Sequence, residues 1–142
     1  MSGGNSVLVA LLALLLLGAL LAVPEMMPKG ELEDVSVSRR AGWTEVTGYL
    51  AVPDGAMPYD WVTISAAWRG PDGRIVDRSS DLLRDVGPGQ RRYWRVLTNA
   101  PDAIGVDLSC IARDIGSTTE RAYCAELRLR DLQRQEVTAT WR

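Results

Sequence analysis

The sequence predicts an all-β sandwich of seven to eight short antiparallel strands, preceded by one N-terminal transmembrane helix. Three observations carry that prediction. The first 24 of the 142 residues contain no Asp, Glu, Lys or Arg, and positions 7–23 are an unbroken run of 17 Val, Leu, Ala and Gly. Beyond position 30, apolar and polar residues alternate in segments that recur every 8 to 14 residues, with no sustained helical spacing. Turn chemistry rich in Pro and Gly stands between those segments.

Residues 1–6 are a short uncharged tail. As a helix, the apolar run at 7–23 would be about 25 Å long, the short end of what crosses a hydrocarbon core of about 30 Å. Its nine Leu and three Val favour insertion by about −4 to −7 kcal/mol. The tail lacks a basic side chain, and the best cleavage site, after Ala22, has Leu20 where a small residue is wanted. The segment is therefore expected to stay as a signal anchor in the bilayer, with cleavage as the alternative. No Cys follows the run, which excludes a lipoprotein. Residues 24–30, with Pro24 and Pro28, form a stiff linker.

The domain spans 31–142. Strand 33–40 turns Val35 and Val37 to one face, and strand 44–52 does so with Val46, Gly48, Leu50 and Val52. Strand 61–69 presents Val62, Ile64, Ala66 and Trp68. The turn Gly70-Pro71-Asp72-Gly73 leads into a short strand at 74–80, and Gly87-Pro88-Gly89 leads into 91–97. Strand 104–112 directs Ile104, Val106, Leu108 and Cys110 inward; strand 122–130 offers Ala125, Leu127 and Leu129. A piece at 136–141 extends the last strand or adds another. The alternative for the tail is a short amphipathic helix over 127–137.

Cys110 and Cys124 are the only cysteines and fall in neighbouring predicted strands. Such a pair reads as a disulfide in an oxidising compartment. Closing that loop stabilises a domain by about 3 kcal/mol. Two reduced thiols in the cytosol are the other reading. Basic residues flanking the anchor are nearly absent, so the cysteines orient the chain. The domain is expected on the extracytoplasmic side of a cell membrane, as a single-pass protein.

Composition removes several chemistries. A net charge of −2 creates no field that attracts nucleic acid. The absence of His excludes His-based triads and His metal ligands, and two Cys cannot make a four-thiolate zinc site. Asp102, Asp107 and Asp114 do not match the spacing of a calcium loop. Met26, Met27 and Met57 lack a supporting His for copper. The expectation is a chain with no enzymatic activity and no cofactor.

The segment from Gly48 to Val96 carries V-x-I-x-A-A-W, then G-P-D-G-R-I-V, then a G-P-G-Q turn leading to R-Y-W-R-V. It resembles the FxLYD family of bacterial and archaeal surface domains, through Trp68, Asp72, Gly73, Val76, Pro88, Gly89 and Trp94. The resemblance covers about half of the domain. It implies an immunoglobulin- or fibronectin-III-like sandwich behind an N-terminal anchor, at the cell surface, with no assigned chemistry.

Five Trp and four Tyr without any Phe mark the aromatic set. Trp68 and Trp94 are on inward phases and belong to the core. Trp43, Tyr49, Trp61 and Tyr93 are on the opposite phase and are the candidate partner-binding patch. Arg91, Arg92 and Arg95, with Arg84 upstream, are candidates for an acidic partner or lipid headgroups. The plainer reading is a solvated strand face paired with Asp81 and Asp85. The expected function is a binding or accessory subunit of a membrane or cell-envelope complex, with a protein partner. The alternatives are a pilin-like filament or adhesion subunit, and a ligand-binding or enzymatic domain.

Overall fold

A computed structural model describes residues 29–56 and 58–133. The anchor expected at 7–23 and the strand expected at 136–141 lie outside the described residues. Among the described residues no helix is long and apolar enough to cross a membrane.

The described chain is all-β. Its strands are β1 (Glu31–Arg40), β2 (Trp43–Ala51), β3 (Tyr59–Arg69), β4 (Ile75–Val86), β5 (Arg91–Thr98), β6 (Gly105–Asp114), β7 (Glu120–Ala122) and β8 (Leu127–Leu129). They form two antiparallel sheets, one in the order β1-β2-β5 and one in the order β4-β3-β6-β7, with β8 also paired to β6. The tight turns carry the glycines that left-handed backbone requires, Gly73 at φ 80° and Gly89 at φ 72°.

Alternation in each strand puts the branched residues between the sheets. Val35, Val37, Val46 and Leu50 face Val62, Ile64, Val106 and Leu108, all buried. Each sheet contributes one fully buried indole, Trp94 from β5 and Trp68 from β3. The Trp68 Nε1–H donates to Ser79 Oγ at 2.8 Å. Trp94 crosses β2 at Gly48, its partner in register, where a Cβ would lie 2.6 Å from Trp94 Cζ2. Only glycine fits there.

β4 runs to Val86, well past the expected end at position 80. Its inner phase is polar because it lies along the free edge of β5 and bonds to it. Asp77 accepts from the Thr98 hydroxyl, and Asp81 Oδ2 accepts from the Arg95 backbone N–H at 3.0 Å. Arg92 Nη1 donates to the carbonyls of Arg84 at 3.0 Å and Asp85 at 3.2 Å. These bonds occupy backbone groups that an open edge would offer to another chain.

The last strand is broken, which overturns the single strand expected at 122–130. β7 and β8 both pair β6, and between them four residues, Tyr123 to Glu126, stand opposite Ser109 and Cys110. That bulge turns both Tyr123 and Cys124 inward and leaves Ala125 exposed, contrary to the inward position expected for Ala125. Cys124 meets Cys110 in a disulfide with Cα atoms 5.2 Å apart. Residues 127–129 are strand, so the helix considered for this stretch does not start there. Ile104 precedes β6 and is half-buried where an inward position was expected.

Candidate functional site

The outer face of the three-stranded sheet gathers most of the candidate residues. Tyr49 on β2 is opposite Tyr93 on β5, Thr47 is opposite Arg95, Glu45 is opposite Leu97, and Ala51 is opposite Arg91. The two tyrosine rings meet edge to face, with centroids 5.7 Å apart and planes at 68°. The Arg91 guanidinium lies 3.7 Å above the Tyr49 ring.

Two acids hold that arginine flat. A bulge in β1 between Glu33 and Ser36 contains Asp34 at φ 50°, a left-handed conformation that Asp tolerates better than most residues. The bulge brings the Asp34 carboxylate into a hydrogen bond and ion pair with Arg91, and Glu33 adds a contact at 3.7 Å. Arg95 Nη2 pairs with Glu45 at 2.9 Å. Exposed pairs of this kind are worth about 0–1 kcal/mol each, so their effect is arrangement. Arg91 covers Tyr49, while Tyr93, Leu97 and Trp43 stay 54%, 36% and 40% exposed. These three form an apolar stripe crossed by the Arg95–Glu45 pair, which stands between Tyr93 and Leu97, so the charges on this face already have partners.

Two candidates do not join this face. Trp61 is on β3, so its outward phase belongs to the other sheet. Arg92 is on the inward phase of β5 and is occupied by the β4 carbonyls. The acids expected to neutralise the arginines also differ. Glu33, Asp34 and Glu45 take that role, whereas Asp81 accepts a backbone N–H and Asp85 offers only its carbonyl. Leu97 was not singled out from the sequence, although its outward phase, four residues after Tyr93, was there to read.

The remaining polar clusters are structural. Asp107 pairs with Arg69 at 2.7 Å and Asp114 with Arg121 at 2.9 Å, near opposite ends of β6, so the aspartates weighed for calcium do not converge. Arg121 also donates to the Tyr59 hydroxyl at 3.1 Å. Tyr59 packs against Tyr123 with centroids 4.6 Å apart. Burial, and then the neighbouring Tyr59, push the Tyr123 phenol up to about 12. A shallow groove of about 440 Å³ on the five-stranded sheet runs over Ser65, Ser80 and Ser109, cross-strand neighbours, and is flanked by Arg78 and the Arg69–Asp107 pair.

No protein family and no curated protein matches this chain. Among solved structures it is similar to beta-glucosidase 3B from Thermotoga neapolitana, determined in complex with glucose and in complex with glycerol. The identity is 14% and the TM-score 0.41, over 72% of this chain and 17% of that one. The chain thus spans only a small part of that enzyme, and a likeness this distant carries no argument about activity.

Proposed function

We propose that this chain is a non-catalytic binding protein, an accessory subunit of a membrane or cell-envelope complex, held on the extracytoplasmic side by residues 7–23. The observation that carries this reading is the stripe of Tyr93, Leu97 and Trp43 on one sheet face. Tyrosine and tryptophan beside arginines are the residue types in which interface hot spots are enriched. The charges around the stripe are paired within the face, so a partner meets apolar area without stripping bare ions of water.

Other features support the rest of the reading. The Cys110–Cys124 bridge suits an oxidising compartment. The 17-residue apolar run suits a short anchor. The fourth strand joins β3 and leaves β5 as an edge, a departure from constant-type immunoglobulin sheets that favours the fibronectin-III-like form implied by the FxLYD resemblance.

Affinity purification from native membranes in mild detergent tests the proposal. The expected result is a stoichiometric protein partner, lost by at least 10-fold in a Tyr93→Ala/Leu97→Ala double variant that stays folded. Recovery of the wild-type protein as a monomer alone would overturn the subunit reading, and recovery only as a homopolymer would favour the filament alternative.

A further inference from the structure

The rim of the sandwich around the start of β3 and the end of β6 carries a second amphipathic surface. Trp61 stands there between Arg84 on β4 and Arg113 on β6, each opposite it in register. The Arg113 guanidinium lies 5.3 Å from the Trp61 ring and 3.4 Å from Asp60. Arg84 is exposed, with no side-chain ion pair found for it among the described residues. One row in from Trp61, Leu82 is 44% exposed beside Thr63 and Ile111. In the turn beyond β6, Ile115 is 60% exposed, the most open of the large apolar residues described. An isoleucine at a turn tip, below a tryptophan flanked by arginines, has nothing among the described residues to cover it.

Chain length sets where this rim sits. Gly30 bridges to Cys124, whose disulfide partner Cys110 lies four residues up β6 from Asp114. At about 3.4 Å per residue, the rim is about 14 Å below Gly30. Only six residues, 24–29, separate the apolar run from Gly30, and fully extended the seven steps from Val23 to Gly30 reach about 23–25 Å. The end of an anchored run therefore lies at most about 9–11 Å beyond the rim of an upright domain, little more than the depth of one headgroup layer. Any tilt brings one side of the rim closer still.

We propose that Trp61, Arg84, Arg113, Leu82 and Ile115 dock the domain on the lipid headgroups of the bilayer that anchors it. This inference rests on the anchored reading above. Trp61 suits the headgroup level, with an apolar ring and a polar edge. Arg84 offers a free guanidinium to phosphate, and Ile115 reaches the acyl boundary. Asp60, Asp114 and Glu120 share the rim, so the contact relies on these specific side chains and not on a net positive field. Docked in this way, the domain stands upright and the Tyr93–Leu97–Trp43 face is turned sideways, toward neighbours in the membrane.

The test reconstitutes the full-length protein into vesicles of phosphatidylcholine and phosphatidylglycerol, with and without phosphatidylcholine brominated near the top of its acyl chains. Brominated lipid is expected to quench tryptophan fluorescence, and Trp61→Phe to remove at least half of that quenching. Arg74→Glu, in the turn at the opposite rim and outside both surfaces, leaves it unchanged. Arg84→Glu, at an exposed position that the core does not use, lowers the quenching as well. Protein that floats with the vesicles while Trp61→Phe and Arg84→Glu both quench like wild type overturns the docking and leaves the anchor standing. Protein that does not float with the vesicles overturns the anchor, and the docking with it.

Discussion

Gly48→Ala sets strand propensity against packing, and the two forecast opposite signs. Glycine in a strand interior is worse than alanine by about 0.5–1 kcal/mol, so propensity alone forecasts a more stable protein. At this position the new Cβ would stand 2.6 Å from Cζ2 and 3.0 Å from Cε2 of Trp94, and 3.1 Å from the Glu33 carbonyl oxygen. Trp94 is fully buried and cannot swing aside, and the Glu33 oxygen is backbone. Overpacking a filled core costs about 1–3 kcal/mol. Packing wins, with a net loss of about 1–2 kcal/mol. For a domain of this size that lowers the Tm by about 5–15 °C. Thermal unfolding of the full chain in detergent, followed by circular dichroism, reads the shift. The same substitution in a Trp94→Phe background, where the ring no longer reaches as far, should cost much less. A Gly48→Ala protein more stable than wild type, or an equal loss in both backgrounds, refutes the reasoning.

Ser79→Ala strips the Trp68 indole of its acceptor and should destabilise the domain by about 1–3 kcal/mol in a denaturant titration. Reducing the Cys110–Cys124 bridge should change electrophoretic mobility and cost about 3 kcal/mol; an unchanged mobility with two titratable thiols argues for a reduced, cytosolic domain. Tyr123 holds its proton up to about 12 in the folded chain, whereas an exposed phenol releases it near 10.0. The folded state therefore binds more protons across that window, and stability is intact below it and falls as pH rises through it. Tyr123→Phe should flatten that fall in denaturation midpoints measured across alkaline pH. Tyr93→Ala should cost only about 0.5–1.5 kcal/mol, the worth of its edge-to-face pair with Tyr49, while removing partner binding.

Much of the sheet pattern is legible in the sequence because alternation reports which residues of a strand share a face. It identifies Trp68 and Trp94 as core, and the turns after Arg69 and Val86 carry glycines at positive φ. Alternation fails where a strand's inner phase is polar for a local reason. The Asp77, Ser79 and Asp81 phase of β4 serves the β5 edge and the Trp68 indole, so the strand looks as if it ends early. It fails again at the bulge, where two extra residues before β8 interrupt the alternation, carry Tyr123 and Cys124 inward together and leave Ala125 out, although Leu127 and Leu129 keep the expected phase. The candidate site is half legible for a related reason. Phase shows that Tyr49, Tyr93 and Trp61 all point outward, but only strand order shows that Trp61 belongs to the other sheet. Likewise, Asp34 meets Arg91 only because β1 bulges, and composition cannot express that.

In the proposed function, the Tyr93 face of the three-stranded sheet binds a protein partner in the membrane. Site-specific photo-crosslinking in native membranes tests it most directly, with the reactive group placed at position 93, at 97, or at 65 on the opposite sheet. One and the same protein adduct is expected from 93 and 97, and none from 65. No adduct from 93, an equal adduct from 65, or adducts only with a second copy of this chain would contradict it.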